Sequence, residues 1–147
     1  MRLLIIDDDP ATLAVVQETL TSAGMDVVAV RTAEEGDAAL ARERVSLVLL
    51  ALAPPDADGR TVASRLVQSP HTAGIPVLML SPAKHEGAPA EALRLGLAGW
   101  LEKPVDPQIL VDVLGADWHE DTFSGSIDDI DLFDYLQLMI LSRKQVS

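Results

Sequence analysis

The sequence predicts an α/β fold in which helices cover both faces of a five-stranded parallel sheet. Short apolar runs alternate five times with stretches of helical periodicity before residue 115. This alternation is typical of parallel sheets with right-handed crossovers. Hydrophobic residues make up 48% of the 147-residue chain but aromatic residues only 3%, which indicates a core built from Leu, Val, Ala and Ile.

The boundaries of the elements follow from apolar runs and from residues that stop helices. The first strand, Leu3–Ile6, ends abruptly at Asp7, and Gly24 terminates the first helix. The predicted strands span residues 3–6, 27–30, 47–52, 76–80 and 99–102, and the predicted helices span residues 11–23, 33–42, 60–68, 88–95 and 107–114.

Composition excludes several classes of function. A formal net charge of -12 argues against nucleic acid as the main partner, because phosphate binding requires clustered Lys and Arg. The chain has no cysteine, which removes disulfides and thiol chemistry. No signal-peptide core or membrane span is evident, so the cytoplasm is the expected compartment.

Residues able to carry chemistry lie where predicted strands end. In open parallel sheets, ligands bind at the carboxyl ends of the strands. Asp7 and Asp8 follow the first strand, Ser81 follows the fourth, and Lys103 follows the fifth. Paired carboxylates at such an edge suit Mg²⁺, and Lys103 is the cation expected to face them.

Four segments in order along the chain resemble the receiver domain of bacterial two-component signalling proteins. They are residues 5–10, 55–59, 75–81 and 96–104, and the resemblance covers about residues 1–116. It implies a flavodoxin-like strand order 2-1-3-4-5. It also implies that Asp7 and Asp8 hold Mg²⁺, that Ser81 and Lys103 occupy the switch hydroxyl and lysine positions, and that Trp100 stands where the family carries a switch aromatic.

The phosphate-accepting aspartate of the family is replaced. In receiver domains that aspartate ends the third strand, and counting back from Pro55 and Gly59 leads to Ala51. An alanine methyl has no lone pair with which to attack phosphorus, and the replacement also removes a metal ligand. We therefore expect Mg²⁺ binding to be weak or absent, no cofactor to be required, and Lys103 to pair directly with the remaining carboxylates.

Simpler interpretations apply to several of these residues. Asp9 precedes Pro10 and is expected to cap the first helix. Asp56 and Asp58 fit ordinary turn residues, although either is an alternative phosphate acceptor. Trp100 fits a partly buried anchor of an interaction face better than a phosphorylation switch.

The histidines and Ser81 also have plain interpretations. Ser81 fits a strand-end serine as well as it fits a surviving switch hydroxyl. His71, His85 and His119 have no metal-ligand spacing and are expected on the surface.

The chain beyond residue 116 changes character. Residues 117–126 have the composition of a linker, and residues 127–147 predict a helix that is apolar around much of its circumference. Residues 123–144 resemble the opening of the PATAN domain, a module that follows receiver domains. Exposed apolar surface on such a segment would favour a homodimer.

The combined expectation is a receiver module that is not an enzyme and acts by protein contact, independently of phosphorylation. Its partner would be a histidine kinase or a downstream signalling protein, bound through the fourth helix, fifth strand and fifth helix. Genuine phosphorelay through Asp56 or Asp58 is the first alternative. A haloacid-dehalogenase-type phosphatase with Asp7 as nucleophile and Asp9 as acid/base, and a small-molecule sensor using the vacated pocket, are the others.

Overall fold

The computed structural model describes residues 2–82 and 87–114. They form five strands and five helices in strict alternation: β1 (Arg2–Ile6), α1 (Pro10–Ser22), β2 (Asp26–Val30), α2 (Ala33–Arg42), β3 (Leu47–Ala51), α3 (Gly59–Gln68), β4 (Val77–Ser81), α4 (Ala88–Leu95), β5 (Gly99–Glu102) and α5 (Pro107–Leu114).

The sheet has the predicted topology. Its strand order is β2-β1-β3-β4-β5, and each neighbouring pair is parallel. Ile6 of β1 is aligned with Leu50 of β3, and Ala51 of β3 with Leu80 of β4. The predicted α/β fold class is thereby confirmed, and the predicted element bounds differ from the observed ones by one residue at most.

The interior strands form because their residues are apolar on both faces. Every residue of β3 and β4 is buried, as are four of the five residues of β1. The edge strand β2 is only partly covered. Helices α1 and α5 pack against each other, as do α3 and α4, so the core lies between the sheet and its two helical layers.

Helix starts are set by side chains that accept hydrogen bonds from free backbone N–H groups. Asp9 caps α1 ahead of Pro10, Thr32 caps α2, and Asp58 caps α3. Helix α4 ends at Gly96, whose φ of 76° lies in the left-handed region that glycine adopts without strain. These caps place three helix amino termini along the edge where the parallel strands end, here called the carboxyl edge.

Helices α3 and α4 are joined by an ion pair. The Nε of Arg60 donates to the carboxylate of Glu91 at 2.5 Å, and Arg94 reaches the same oxygen at 3.2 Å. Glu91 is only 7% exposed, and its hydrogen bond raises the pKa of Arg60. The ion pairs with Arg60 and Arg94 therefore offset the free-energy cost of burying this carboxylate.

The predicted terminal elements, a linker over 117–126 and a helix over 127–147, lie outside the described residues, as do His85 and His119. His71 is exposed, as expected. Within residues 2–82 and 87–114, the helices are too short or too polar to cross a bilayer.

Gly59 allows α3 to start directly against the end of β3. A Cβ at this position would overlap the backbone carbonyl oxygens of Ala51 and Leu52. Its own N–H donates to the Leu52 carbonyl at 2.9 Å. Glycine is required here by close backbone approach rather than by its φ angle.

Gly59→Ala should destabilise the protein by about 1–3 kcal/mol, the usual cost of overpacking, although alanine is the better helix former. Urea denaturation measures the difference. Gly74→Ala is the matched control, because nothing lies within 4 Å of a Cβ there. Equal stability of the two variants would refute the close-approach argument.

Candidate functional site

The candidate site is assembled at the carboxyl edge from four strand ends. Asp7 follows β1, Ala51 ends β3, Ser81 ends β4 and Lys103 follows β5. The backbone N–H of Lys103 donates to the Ser81 carbonyl at 2.8 Å, which extends the β4–β5 pairing to the lysine. The parallel register thus brings together residues far apart in sequence.

Lys103 and Asp7 form the central contact of the site. The Lys103 Nζ lies 2.7 Å from one carboxylate oxygen of Asp7, whose side chain is 1% exposed while that of Lys103 is 25% exposed. The other Asp7 oxygen accepts the backbone N–H of Asp9 at 3.0 Å. One oxygen of this buried carboxylate is therefore ion-paired with Lys103, and the other accepts a backbone hydrogen bond.

Asp9 caps helix α1 and also lies close to Lys103. It accepts the Ala11 N–H at 3.1 Å and the Thr12 hydroxyl at 2.7 Å, and the Lys103 Nζ lies 3.7 Å away. The Thr12 hydroxyl is the main cause that lowers the pKa of Asp9. Asp9 is consequently a charged cap beside Lys103.

The remaining members of the predicted acidic corner differ in exposure. Asp8 is exposed, whereas the methyl of Ala51 is 3% exposed. In the part of the chain that the structure describes, no three His, Cys, Asp or Glu side chains are grouped as a metal site. The donor set at this edge, one lysine-paired carboxylate, one solvent-facing carboxylate and a methyl group, does not fit a tightly bound Mg²⁺.

The structure corrects the interpretation of Trp100 as a partly buried anchor. Its side chain is 0% exposed and belongs to the hydrophobic core. The reason is that β5, although an edge strand, is covered by the helical layers, including α4. Ser81 is also buried, at 1% exposed.

Asp56 makes a long-range contact that its turn-like sequence did not reveal. One of its oxygens accepts the Ala33 N–H at 2.8 Å and the other accepts the Glu34 N–H at 3.1 Å. These N–H groups belong to the first turn of α2, so Asp56 ties the β3–α3 loop to that helix. They lower the pKa of Asp56.

No sequence signal of local capping could identify the Asp56 contact, because the capped helix lies more than twenty residues earlier. Asp58, by contrast, caps its own helix by accepting the Arg60 N–H at 2.8 Å. Its position just before Gly59 is an ordinary local signal.

The fold and the edge site define a doubly wound α/β protein whose carboxyl-edge residues come from four strands, at the edge where open parallel sheets bind ligands. A family model, the response regulator receiver domain, matches residues 3–115. The chain therefore belongs to the response regulator receiver domain family, which operates in two-component signalling. Members of this family interact with histidine kinases or other signalling proteins.

Individual relatives agree with this assignment. The DNA-binding dual master transcriptional regulator RpaA of Synechocystis sp. is 38% identical over 105 residues, covering 71% of this chain and 44% of that protein. An uncharacterized 14.6 kDa protein of Leptolyngbya boryana is 32% identical, covering 76% of this chain and 85% of that protein. The match thus spans less than half of the length of that regulator.

Solved structures share the fold. A response regulator from Chloroflexus aurantiacus superposes with a TM-score of 0.71 at 30% identity, covering 76% of this chain and 91% of that chain. The chemotaxis response regulator CheY4 of Vibrio cholerae superposes with a TM-score of 0.70 at 25% identity, covering 77% and 94%.

Lys103→Met should destabilise the protein by about 3 kcal/mol, because it leaves the buried Asp7 carboxylate without a counter-charge. Urea denaturation at neutral pH measures the free energy of unfolding. Asp8→Asn is the control and should change that free energy by less than about 0.5 kcal/mol.

The double variant Asp7→Asn/Lys103→Met separates the pair from other effects. It should recover most of the stability lost in Lys103→Met, because the unpaired charge is gone. A double variant no more stable than Lys103→Met would show that the ion pair is not the source of the loss.

The Asp56 contact predicts a specific acid dependence of stability. The folded-state pKa of Asp56 lies below its ordinary value of 3.8, so its carboxylate stabilises the fold above that pH. The contribution is lost as pH falls through the lowered pKa. Between about pH 5 and pH 3, Asp56→Asn should therefore lose stability less steeply than wild type in urea denaturation. An unchanged slope would contradict the cap.

Proposed function

We propose that this receiver domain signals by protein contact and does not use its own phosphorylation. The observation that carries the proposal is the occupancy of the site: Ala51 stands at the acceptor position, and Lys103 lies 2.7 Å from Asp7. The family resemblance implies that a conventional receiver requires an aspartate at the position that Ala51 occupies here.

The chemistry at Ala51 supports this directly. Attack on phosphorus requires a lone pair on the attacking atom, and a methyl group has none. Ala51 is also only 3% exposed, which leaves little room for a carboxylate of another residue to take its place.

The charge balance supports it further. At about 4 Å and an effective dielectric of about 20, a charge pair is worth roughly 4 kcal/mol before desolvation. With one fewer carboxylate at the edge, the single positive charge of Lys103 balances Asp7 without a metal. We infer that Mg²⁺ is not required and binds weakly if added, chiefly through the exposed Asp8.

Phosphorelay through Asp56 or Asp58 is the alternative function within the family. A nucleophile must be aligned with the phosphorus within contact distance. Both oxygens of Asp56 accept backbone N–H groups of α2, and Asp58 accepts the Arg60 N–H. These hydrogen bonds favour structural roles for Asp56 and Asp58.

Other hypotheses have less support. The receiver family match leaves the haloacid-dehalogenase phosphatase without support, and an enzymatic role for this domain is not part of the proposal. A small-molecule sensor would need an open pocket at Ala51, whereas Asp7, Ala51 and Ser81 are buried.

The proposed partner is a histidine kinase or a downstream signalling protein. The proposed contact face consists of α4, β5 and α5, where Leu93 is an exposed large hydrophobic residue at 65%. We also propose a division of the chain into a receiver domain over 1–116, a linker over 117–126 and the start of a PATAN-like domain over 127–147. A homodimer is compatible with it.

Restoring the acceptor should restore the missing chemistry. Ala51→Asp is expected to bind Mg²⁺ and beryllofluoride saturably, because it re-creates a carboxylate cluster that needs a cation. The wild-type chain should give no saturable response. Tryptophan fluorescence during titration is the measurement.

Ala51→Asn is the matched control, since it adds nearly the same volume without the charge. It should behave as wild type. A saturable beryllofluoride response in wild type would mean that another carboxylate serves as acceptor, and the proposal would fail.

A further inference from the structure

The charges of this domain are divided between the two edges of the sheet. The carboxyl edge is rich in carboxylates: Asp7, Asp8, Asp9, Asp56 and Asp58. The opposite edge, where the parallel strands begin, is here called the amino edge. Several of the chain's few cations lie there, namely Arg2, Arg42, Arg44 and Arg65.

Two cations of the amino edge are not neutralised. Arg42 ends α2 and Arg44 lies in the loop to β3, and both are exposed. Neither forms an ion pair with any residue in the described ranges, whereas Arg2 pairs with Asp26 and Glu43. The amino edge therefore presents positive charge on a chain whose net charge is -12.

A cleft opens between α2 and α3, and its lining includes Ala41, the residue before Arg42. It has a volume of about 530 Å³ and is lined by Leu40, Ala41, Leu66, Arg65 and His71, among others. Arg65 pairs with Asp37 across it at 3.0 Å. The apolar side chains of Leu40, Ala41 and Leu66 in its lining match a hydrophobic side chain of a ligand, and Arg42, next in sequence to Ala41, offers a charge to a carboxylate.

The chain leaves the described domain toward this edge. Helix α5 begins at Pro107, after β5 has ended at the carboxyl edge, and it packs along α1. Since α1 connects the end of β1 to the start of β2, it runs from the carboxyl edge to the amino edge. Leu114, the last residue of α5, consequently lies toward the amino edge.

The residues that follow carry the complementary charge. Segment 117–131 has six carboxylates and no Lys or Arg: Asp117, Glu120, Asp121, Asp128, Asp129 and Asp131. It also contains Phe123 and Ile127. An extended chain spans about 3.3 Å per residue, so ten residues reach roughly 33 Å, comparable with the width of a domain whose radius of gyration is about 13 Å.

We propose that segment 117–131 of this same chain docks on the amino edge, with its carboxylates against Arg42 and Arg44 and an apolar side chain in the α2–α3 cleft. The carboxyl edge, with the five aspartates named above, repels the segment. Covalent attachment supplies a high effective concentration, which favours the segment over an acidic peptide of another protein.

Paramagnetic relaxation enhancement tests this on the full chain. Because the sequence has no cysteine, Ser124→Cys provides a single site for a nitroxide label. The backbone amide signals of Ala41, Ser46 and Thr72 report the amino edge, and those of Arg31 and Asp58 report the carboxyl edge. We expect loss of intensity at the amino edge only.

Two charge variants of equal net change provide the control. Arg42→Gln/Arg44→Gln removes two positive charges from the amino edge, whereas Arg31→Glu changes the net charge equally at the carboxyl edge. The first should abolish the intensity loss and the second should preserve it. Raising the ionic strength from about 0.01 M to about 0.15 M shortens the Debye length from about 30 Å to about 8 Å. The higher salt should therefore weaken the intensity loss at the amino edge.

Three outcomes would overturn the proposal. The first is no intensity loss at the amino edge at low salt, and the second is a loss unaffected by Arg42→Gln/Arg44→Gln. The third is an intensity loss that persists when the label and the isotope are placed on different molecules, which would identify a second copy as the occupant. The amide spectrum of each variant verifies that it is folded.

Discussion

The ion pair between Lys103 and Asp7 is the interaction on which the carboxyl edge depends. A carboxylate with 1% exposure would be costly to bury alone, and the lysine 2.7 Å away compensates it. Each partner is delivered by a strand end, so the sheet register must be correct for the pair to form. The pair therefore links the fold to the site.

Around this pair, carboxylates accept hydrogen bonds that stabilise the local structure. Asp9 caps α1, Asp58 caps α3, and Asp56 joins the β3–α3 loop to the first turn of α2. In each case a carboxylate meets backbone N–H groups at the positive end of a helix, which favours the charged form. The edge thus has an acidic composition, although its described residues include no group of three His, Cys, Asp or Glu side chains placed to hold a metal ion.

Much of this arrangement could be predicted from sequence because its determinants are local or periodic. Apolar runs define the strands, Asp9-Pro10 and Asp58-Gly59 define helix starts, and ordered motifs locate Lys103 opposite Asp7. Asp56 was missed because its partner helix lies far away in sequence. The burial of Trp100 was misjudged because the composition of β5 does not show how completely the helices cover an edge strand.

Phosphoryl labelling tests the central claim most directly. The wild-type chain and Ala51→Asp would be incubated with acetyl phosphate and Mg²⁺, and their intact masses measured. The account predicts a phosphoryl adduct only on Ala51→Asp. An adduct on the wild-type chain that disappears in Asp56→Asn or Asp58→Asn would show that this receiver has moved its acceptor, and the mechanism set out above would be wrong.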